Sequence, residues 1–142
     1  MKYFVDSNIF LRTLEKEDEK TFSECYGILK LVREGGIKAI TSHIVLAEIV
    51  WVLGSFYKKP RKDITQALNG IENLRGLKLI DRFDSNLALK FYSEYKVKYI
   101  NALIASIPEV RDKNWAVVSY DRDFDRLGVE RKDPGQVVKS KV

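Results

Sequence analysis

Lys2-Tyr3-Phe4-Val5-Asp6-Ser7-Asn8 follows the first methionine, and Trp115-Ala116-Val117-Val118-Ser119-Tyr120-Asp121 repeats its plan far along the chain. Each is a short apolar run that ends at or just before an aspartate. Such a run, bounded by polar residues, suits a strand buried on both faces of a parallel sheet. In open α/β sheets, ligands bind outside the carboxyl ends of the strands. Asp6 and Asp121 are therefore expected to share one functional edge of one sheet.

Between and beyond these stretches, strand and helix patterns alternate. Ser7 to Glu15 read as helix, and residues 18–34 as a longer one, with Phe22, Cys25, Ile28, Leu29 and Val32 at spacings of three and four. Gly35 and Gly36 stop it. Lys38 to Thr41 make a second strand, and Ser42 is expected to cap a helix from 43 to about 57. Pro60 opens a helix to about Arg75. Leu77 to Ile80 form a third strand, helices follow at 84–97 and 99–107, and Pro108 ends the second. After the strand Trp115 to Ser119 comes a short helical turn with Phe124 and Leu127, then a fifth strand within Gly128 to Arg131. The expected fold is a three-layer α/β/α sandwich with a mostly parallel central sheet, built as one domain over residues 1–142.

Composition excludes several classes. The single cysteine, Cys25, forbids an internal disulfide, and no Cys/His cluster has zinc spacing. No apolar stretch is long enough to span a bilayer and the N-terminus lacks a signal-like apolar region, so no membrane role and a cytoplasmic location are expected. The single histidine, His43, sits at a helix start. With no Gly-x-Ser-x-Gly elbow, a Ser-His-Asp hydrolase is disfavoured. No phosphate-binding glycine loop appears. The net charge of +5 suits a polyanionic partner. Tyr92, Tyr95 and Tyr99 have the ring chemistry to stack bases, although spacings of three and four favour a packed helix face.

Glu48 is the sharper signal. At 100° per residue, Ile44, Val45, Trp51 and Val52 lie within about 60° of it on a helix. A carboxylate in that setting needs a salt bridge, a metal or a proton. Asp6 and Asp121 each have a plainer role open to them, as caps of the turns that follow. Three carboxylates gathered at one edge repel each other unless a hard cation sits among them. Mg2+ or Mn2+ would suit such oxygen ligands and phosphodiester chemistry.

Taken together, these stretches resemble a known family. Asp6-Ser7-Asn8 after a hydrophobic strand looks like the opening motif of the PIN domain. Leu46-Ala47-Glu48-Ile49 looks like its second motif, and Ser119-Tyr120-Asp121-Arg122-Asp123-Phe124 like its closing one. The order and spacing match over nearly the whole chain. The resemblance implies a metal-dependent ribonuclease acting on single-stranded or structured RNA. It also implies frequent homodimerisation and often a place as the toxin of a toxin–antitoxin pair, with a small antitoxin as partner. Carried over residue by residue, Asp6, Glu48 and Asp121 would hold the metal, Asp123 would be an auxiliary ligand, and Asn8 and Ser119 would orient the ligands.

One position departs from the family pattern. Asn101, in Asn101-Ala102-Leu103-Ile104-Ala105, stands where the family has an aspartate. An amide oxygen can still ligate Mg2+ or Mn2+, without the charge. Engineered inactivation, natural decay and compensation by Asp123 each explain it, as does a plain hydrogen-bonding role at a helix start. A decayed domain that binds RNA or protein is therefore the alternative function. A phosphatase or phospho-switch fits less well, because Asn8 stands where a second aspartate would be needed.

Overall fold

A computed structural model describes residues 1–141. Its five strands form one sheet in the order β3-β2-β1-β4-β5, with every pairing parallel. β1 (Lys2–Val5) lies at the centre, flanked by β2 (Lys38–Thr41) and β4 (Trp115–Val118), with β3 (Leu77–Leu79) and β5 (Arg131–Lys132) at the edges. Lys2 is opposite Trp115 and Val5 opposite Val118. Asp6 and Ser119 thus leave the sheet side by side, and the Asp6 amide still donates to Val118 O at 3.2 Å.

The strand order grows outward from β1 in two directions. The first connections, through α1 (Ser7–Leu14), α2 (Glu19–Arg33), α3 (His43–Ser55) and α4 (Arg61–Glu72), step one way to β3. The next, through α5 (Ser85–Glu94), α6 (Tyr99–Ser106) and α7 (Pro108–Arg111), returns to β4 on the far side of β1, and α8 (Asp123–Arg126) leads on to β5. Right-handed crossovers place the two sets on opposite faces. α2 packs on α1 and on α9 (Pro134–Ser140), while α6 packs on α5, α7 and α8. The middle strands are accordingly apolar on both faces: Phe4, Val5, Ala116, Val117 and Val118 are fully buried. The order reverses between β1 and β4, and ligands bind outside the carboxyl ends of the strands at such a point in sheets of this kind.

The structure corrects several expectations. Pro108 does not only end α6; it opens α7 as its first residue, where its missing N–H costs nothing. The fifth strand falls at Arg131–Lys132, later than the stretch from Gly128. α4 ends at Glu72 and α5 at Glu94, each about three residues early. α9 is an element that the hydrophobic pattern does not announce; Pro134 opens it and Gln136 Oε1 accepts from the Asp133 amide at 3.0 Å. Ser42 stands at the N-cap of α3 but makes no side-chain cap bond. Asp81, just past β3, does the work instead, accepting from Ser42 Oγ at 2.6 Å and from the His43 amide at 2.9 Å. Gly76 has φ +89°, and a Cβ there would lie 2.4 Å from Val32 O, so only glycine fits this turn into β3.

Candidate active site

Asp6 is the N-cap residue of α1 and only 2% exposed. Its Oδ1 accepts from the Ser7 amide at 2.8 Å, so the capping role is real. Its Oδ2 is free of that duty and accepts from Ser119 Oγ at 2.6 Å and from Asn8 Nδ2 at 3.3 Å. Burial pushes the Asp6 carboxyl up to about 6. The Ser119 and Ser7 hydrogen bonds pull it down, and the charges of Glu48 and Asp121 push it up again. No lysine or arginine is among these influences.

Ser119, fully buried at the end of β4, is the hub of the site. Its hydroxyl donates to Asp6 and accepts from the Asp121 amide at 2.9 Å and from Asn8 Nδ2 at 3.0 Å. Asn8 in turn accepts from the Tyr120 amide at 3.4 Å. One hydroxyl thus fixes the carboxylate after β1 to the loop after β4.

Glu48 projects from α3 and accepts from Ser7 Oγ at 2.5 Å. Its setting is less apolar than helix geometry alone suggests: Trp51 is 67% exposed and Glu48 itself is half-buried. α3 is apolar nearly all round, so the angular count places oily residues beside Glu48 without saying which of them face solvent. Its hydrogen bond comes from a hydroxyl rather than from a cation. Nothing in the spacing singles out Ser7 for this; only the tertiary approach of α1 and α3 reveals it.

The second half of the site is differently compensated. Asp121 Oδ1 accepts from the Asp123 amide at 3.0 Å, closing the turn into α8. Asn101, 2% exposed on α6, donates from Nδ2 to Asp121 Oδ2 at 2.9 Å and to Asp123 Oδ2 at 3.0 Å. Carboxylates only accept, so the amide must turn its NH2 toward them. Lys98 Nζ lies 3.8 Å from Asp121, and the Lys98 amide donates to Asp123 at 3.0 Å. Arg126 reaches Asp123 at 3.2 Å. Lys98 and Arg126 are residues the motifs do not flag.

All these ligand candidates are oxygen donors, which fits a hard divalent cation in kind. Among the described residues, however, no three Asp, Glu, His or Cys side chains converge into a metal-holding group. Each acid is instead engaged by a neighbour: Ser7 holds Glu48, and Asn101 and Lys98 hold Asp121 and Asp123. Asn101 presents Oδ1 to a cation only by turning over and giving up both donations.

The PIN domain model matches residues 3–130, from β1 to the threshold of β5 and across every residue just described. The chain belongs to the PIN-domain family. Solved structures share the fold at low identity. VapBC2 from Rickettsia felis, bound to a DNA fragment from their promoter, has a TM-score of 0.65 at 21% identity, covering 93% of this chain and 98% of that one. PAE2754 from Pyrobaculum aerophilum has a TM-score of 0.68 at 12% identity, covering 99% and 95%. VapC20 from Mycobacterium tuberculosis, a sarcin-ricin loop cleaving toxin, has 0.63 at 16%, covering 89% and 95%. No curated protein sequence matches the chain. In this PIN domain, Asp6, Glu48, Asp121 and Asp123 all stand at the carboxyl edge of the sheet or on the helices above it. No helix among the described residues is long and apolar enough to cross a membrane.

Proposed function

We propose that this PIN domain is a divalent-metal-dependent endoribonuclease and the toxin of a toxin–antitoxin pair, its active site formed by Asp6, Glu48 and Asp121 with Asn101 and Asp123 beside them. One observation carries the reading most: Asp6 is 2% exposed, holds its Oδ2 toward Ser119 and Asn8, and is pushed up to about 6 by burial and by the charges of Glu48 and Asp121. Perturbed acids in a cleft mark functional sites. Membership of the PIN family and the fold shared with VapC20 support RNA as the substrate.

Asp6, Glu48 and Asp121 would hold Mg2+ or Mn2+, with Asp123 and the Asn101 oxygen as further ligands. The bound ion supplies positive charge for the phosphodiester and acidifies water. Ser119 and Asn8 fix the Asp6 oxygens, Ser7 fixes Glu48, and the buried floor of β1 and β4 keeps bulk water away from that side. Exposed lysines and arginines hold the RNA backbone. A small antitoxin that covers the acidic cleft, a homodimer, a cytoplasmic location and a single domain over 1–142 complete the proposal.

A second reading has its own observation. Asn101 already bridges Asp121 and Asp123, so a neutral amide relieves part of the repulsion that a metal otherwise relieves. A PIN domain that has lost catalysis and binds RNA or a protein is consistent with that bridge. Incubating the chain, Asp6→Asn and Glu48→Gln with single-stranded RNA in Mn2+ or EDTA separates the two. Cleavage that EDTA stops and either substitution removes supports the enzyme. Cleavage that survives both substitutions places the chemistry elsewhere, and none at all favours the binding module.

A further inference from the structure

Tyr92, Tyr95 and Tyr99 are 52%, 41% and 43% exposed, against the packed face that their spacing favours. The reason is a break in the helix: α5 ends at Glu94, residues 95–98 run between helices, and Tyr99 begins α6. The Tyr92 and Tyr99 rings meet edge to face, with centroids 5.7 Å apart. They line an open surface depression of about 830 Å3 that Asp123 and Glu94 also line. That volume lies within the ~300–1,000 Å3 range of ligand sites.

We infer that this depression is a nucleotide-binding subsite, in which bases of single-stranded RNA stack on Tyr92 and Tyr99 while Lys96 and Lys98 meet the phosphates. The inference rests on the ribonuclease reading above. Three features point to RNA rather than to a protein. Asp123 belongs both to the depression and, through Asn101, to the acidic cluster, so a strand held here continues into the site. Lys96 and Lys98 are exposed and line the depression together with Glu94; Lys98 Nζ also lies 3.8 Å from Asp121, so the phosphate contact falls first to Lys96. The segment between the two tyrosines is also held in place. Val97 is buried, Arg126 Nη1 donates to Lys96 O at 2.7 Å, and the Lys98 amide bonds Asp123 at 3.0 Å. Fixing the segment between the two rings limits the freedom lost when a flat base settles on them.

The test is fluorescence anisotropy of a short labelled oligouridylate in EDTA, where binding is read without cleavage. Tyr92→Ala and Tyr99→Ala are each expected to raise Kd about tenfold. Tyr92→Phe and Tyr99→Phe should bind like the parent, because stacking needs the ring and not the hydroxyl. Both tyrosines are surface residues, and melting curves check that the alanine variants fold. The inference is overturned if the alanine variants bind as the parent does, or if the phenylalanine variants lose as much as the alanine ones. It is also overturned if the alanine changes alter only the particle mass in light scattering, which marks a protein-binding face. Cleavage in Mn2+ is scored separately. A parent that binds through the tyrosines and never cuts sinks the ribonuclease and leaves the subsite. A parent that cuts while the alanine variants bind unchanged sinks the subsite alone.

Discussion

Asn101 Nδ2 donates to Asp121 Oδ2 across 2.9 Å, and the same NH2 reaches Asp123 Oδ2 at 3.0 Å. The amide acts as a neutral clamp between two acids. Asn101→Asp removes both donations and adds a carboxylate where two already face each other. Without metal, the variant should lose about 2–4 kcal/mol of stability, the cost of breaking two hydrogen bonds to charged groups and adding repulsion. Mn2+ should recover most of that loss. Thermal melts of parent and variant in EDTA and in Mn2+ check it; a variant as stable as the parent in EDTA contradicts the clamp.

Ser119 Oγ holds Asp6, Asn8 and the Asp121 amide at once. Ser119→Ala should lower Mn2+ affinity or RNA cleavage by about 10–100-fold, the usual effect of removing a group that orients a ligand. The cavity is small, so the fold should survive. Calorimetric titration with Mn2+ reads the change.

Asp6 lies above its ordinary value of 3.8, at about 6, chiefly because burial disfavours its charge. For a carboxyl shifted this way the unfolded chain ionises first. Its contribution to folding is therefore full below 3.8 and is lost as pH rises through 6. A cation that binds the ionised form offsets the loss, so Mn2+ should raise Tm more at about pH 7.5 than at about pH 5. Equal shifts at both pH values argue against Asp6 as a ligand.

His43 Nδ1 stands 2.6 Å from Asp81, and that bond and charge raise its pKa above the ordinary 6.5. Burial opposes ionisation of Asp81, but its bonds to Ser42 and His43 outweigh this and lower its pKa below 3.8. The His43 contribution is full below 6.5 and lost as pH rises through its raised value; that of Asp81 is full above 3.8 and lost as pH falls through its lowered value. The pair is exposed, so its worth is about 1 kcal/mol at most. The Tm gap between the parent and His43→Ala should be widest between those limits and close in alkali. The imidazole is the only one in the chain, so its titration by NMR is unambiguous.

The strands were legible because burial on both faces leaves a plain apolar run: β1 and β2 occupy the residues their sequences suggest. Asp6 and Asp121 follow from the same logic, since a carboxylate just past such a run falls at the sheet edge. Short elements were not legible. α7 and α9, of four and seven residues, are too brief for a helical period and depend on a proline at N1. Nor were the partners across the site. Ser7 meets Glu48 and Asp81 caps α3 only because the fold brings distant segments together, which no spacing records. The tyrosines were misjudged because a helix end at Glu94 breaks the face that their spacing implies.

The most direct measurement compares RNA cleavage in Mn2+ by the parent, by Asn101→Asp, and by Asn101→Asp combined with Asp6→Asn, each with an EDTA control. If the acids at this edge are the active site, Asn101→Asp cuts about tenfold faster than the parent or more, on the scale of a ligand change at a metal site. Adding Asp6→Asn, or EDTA, then abolishes cleavage. No cleavage by any of the three, or cleavage that persists with Asp6→Asn in place, contradicts the assignment.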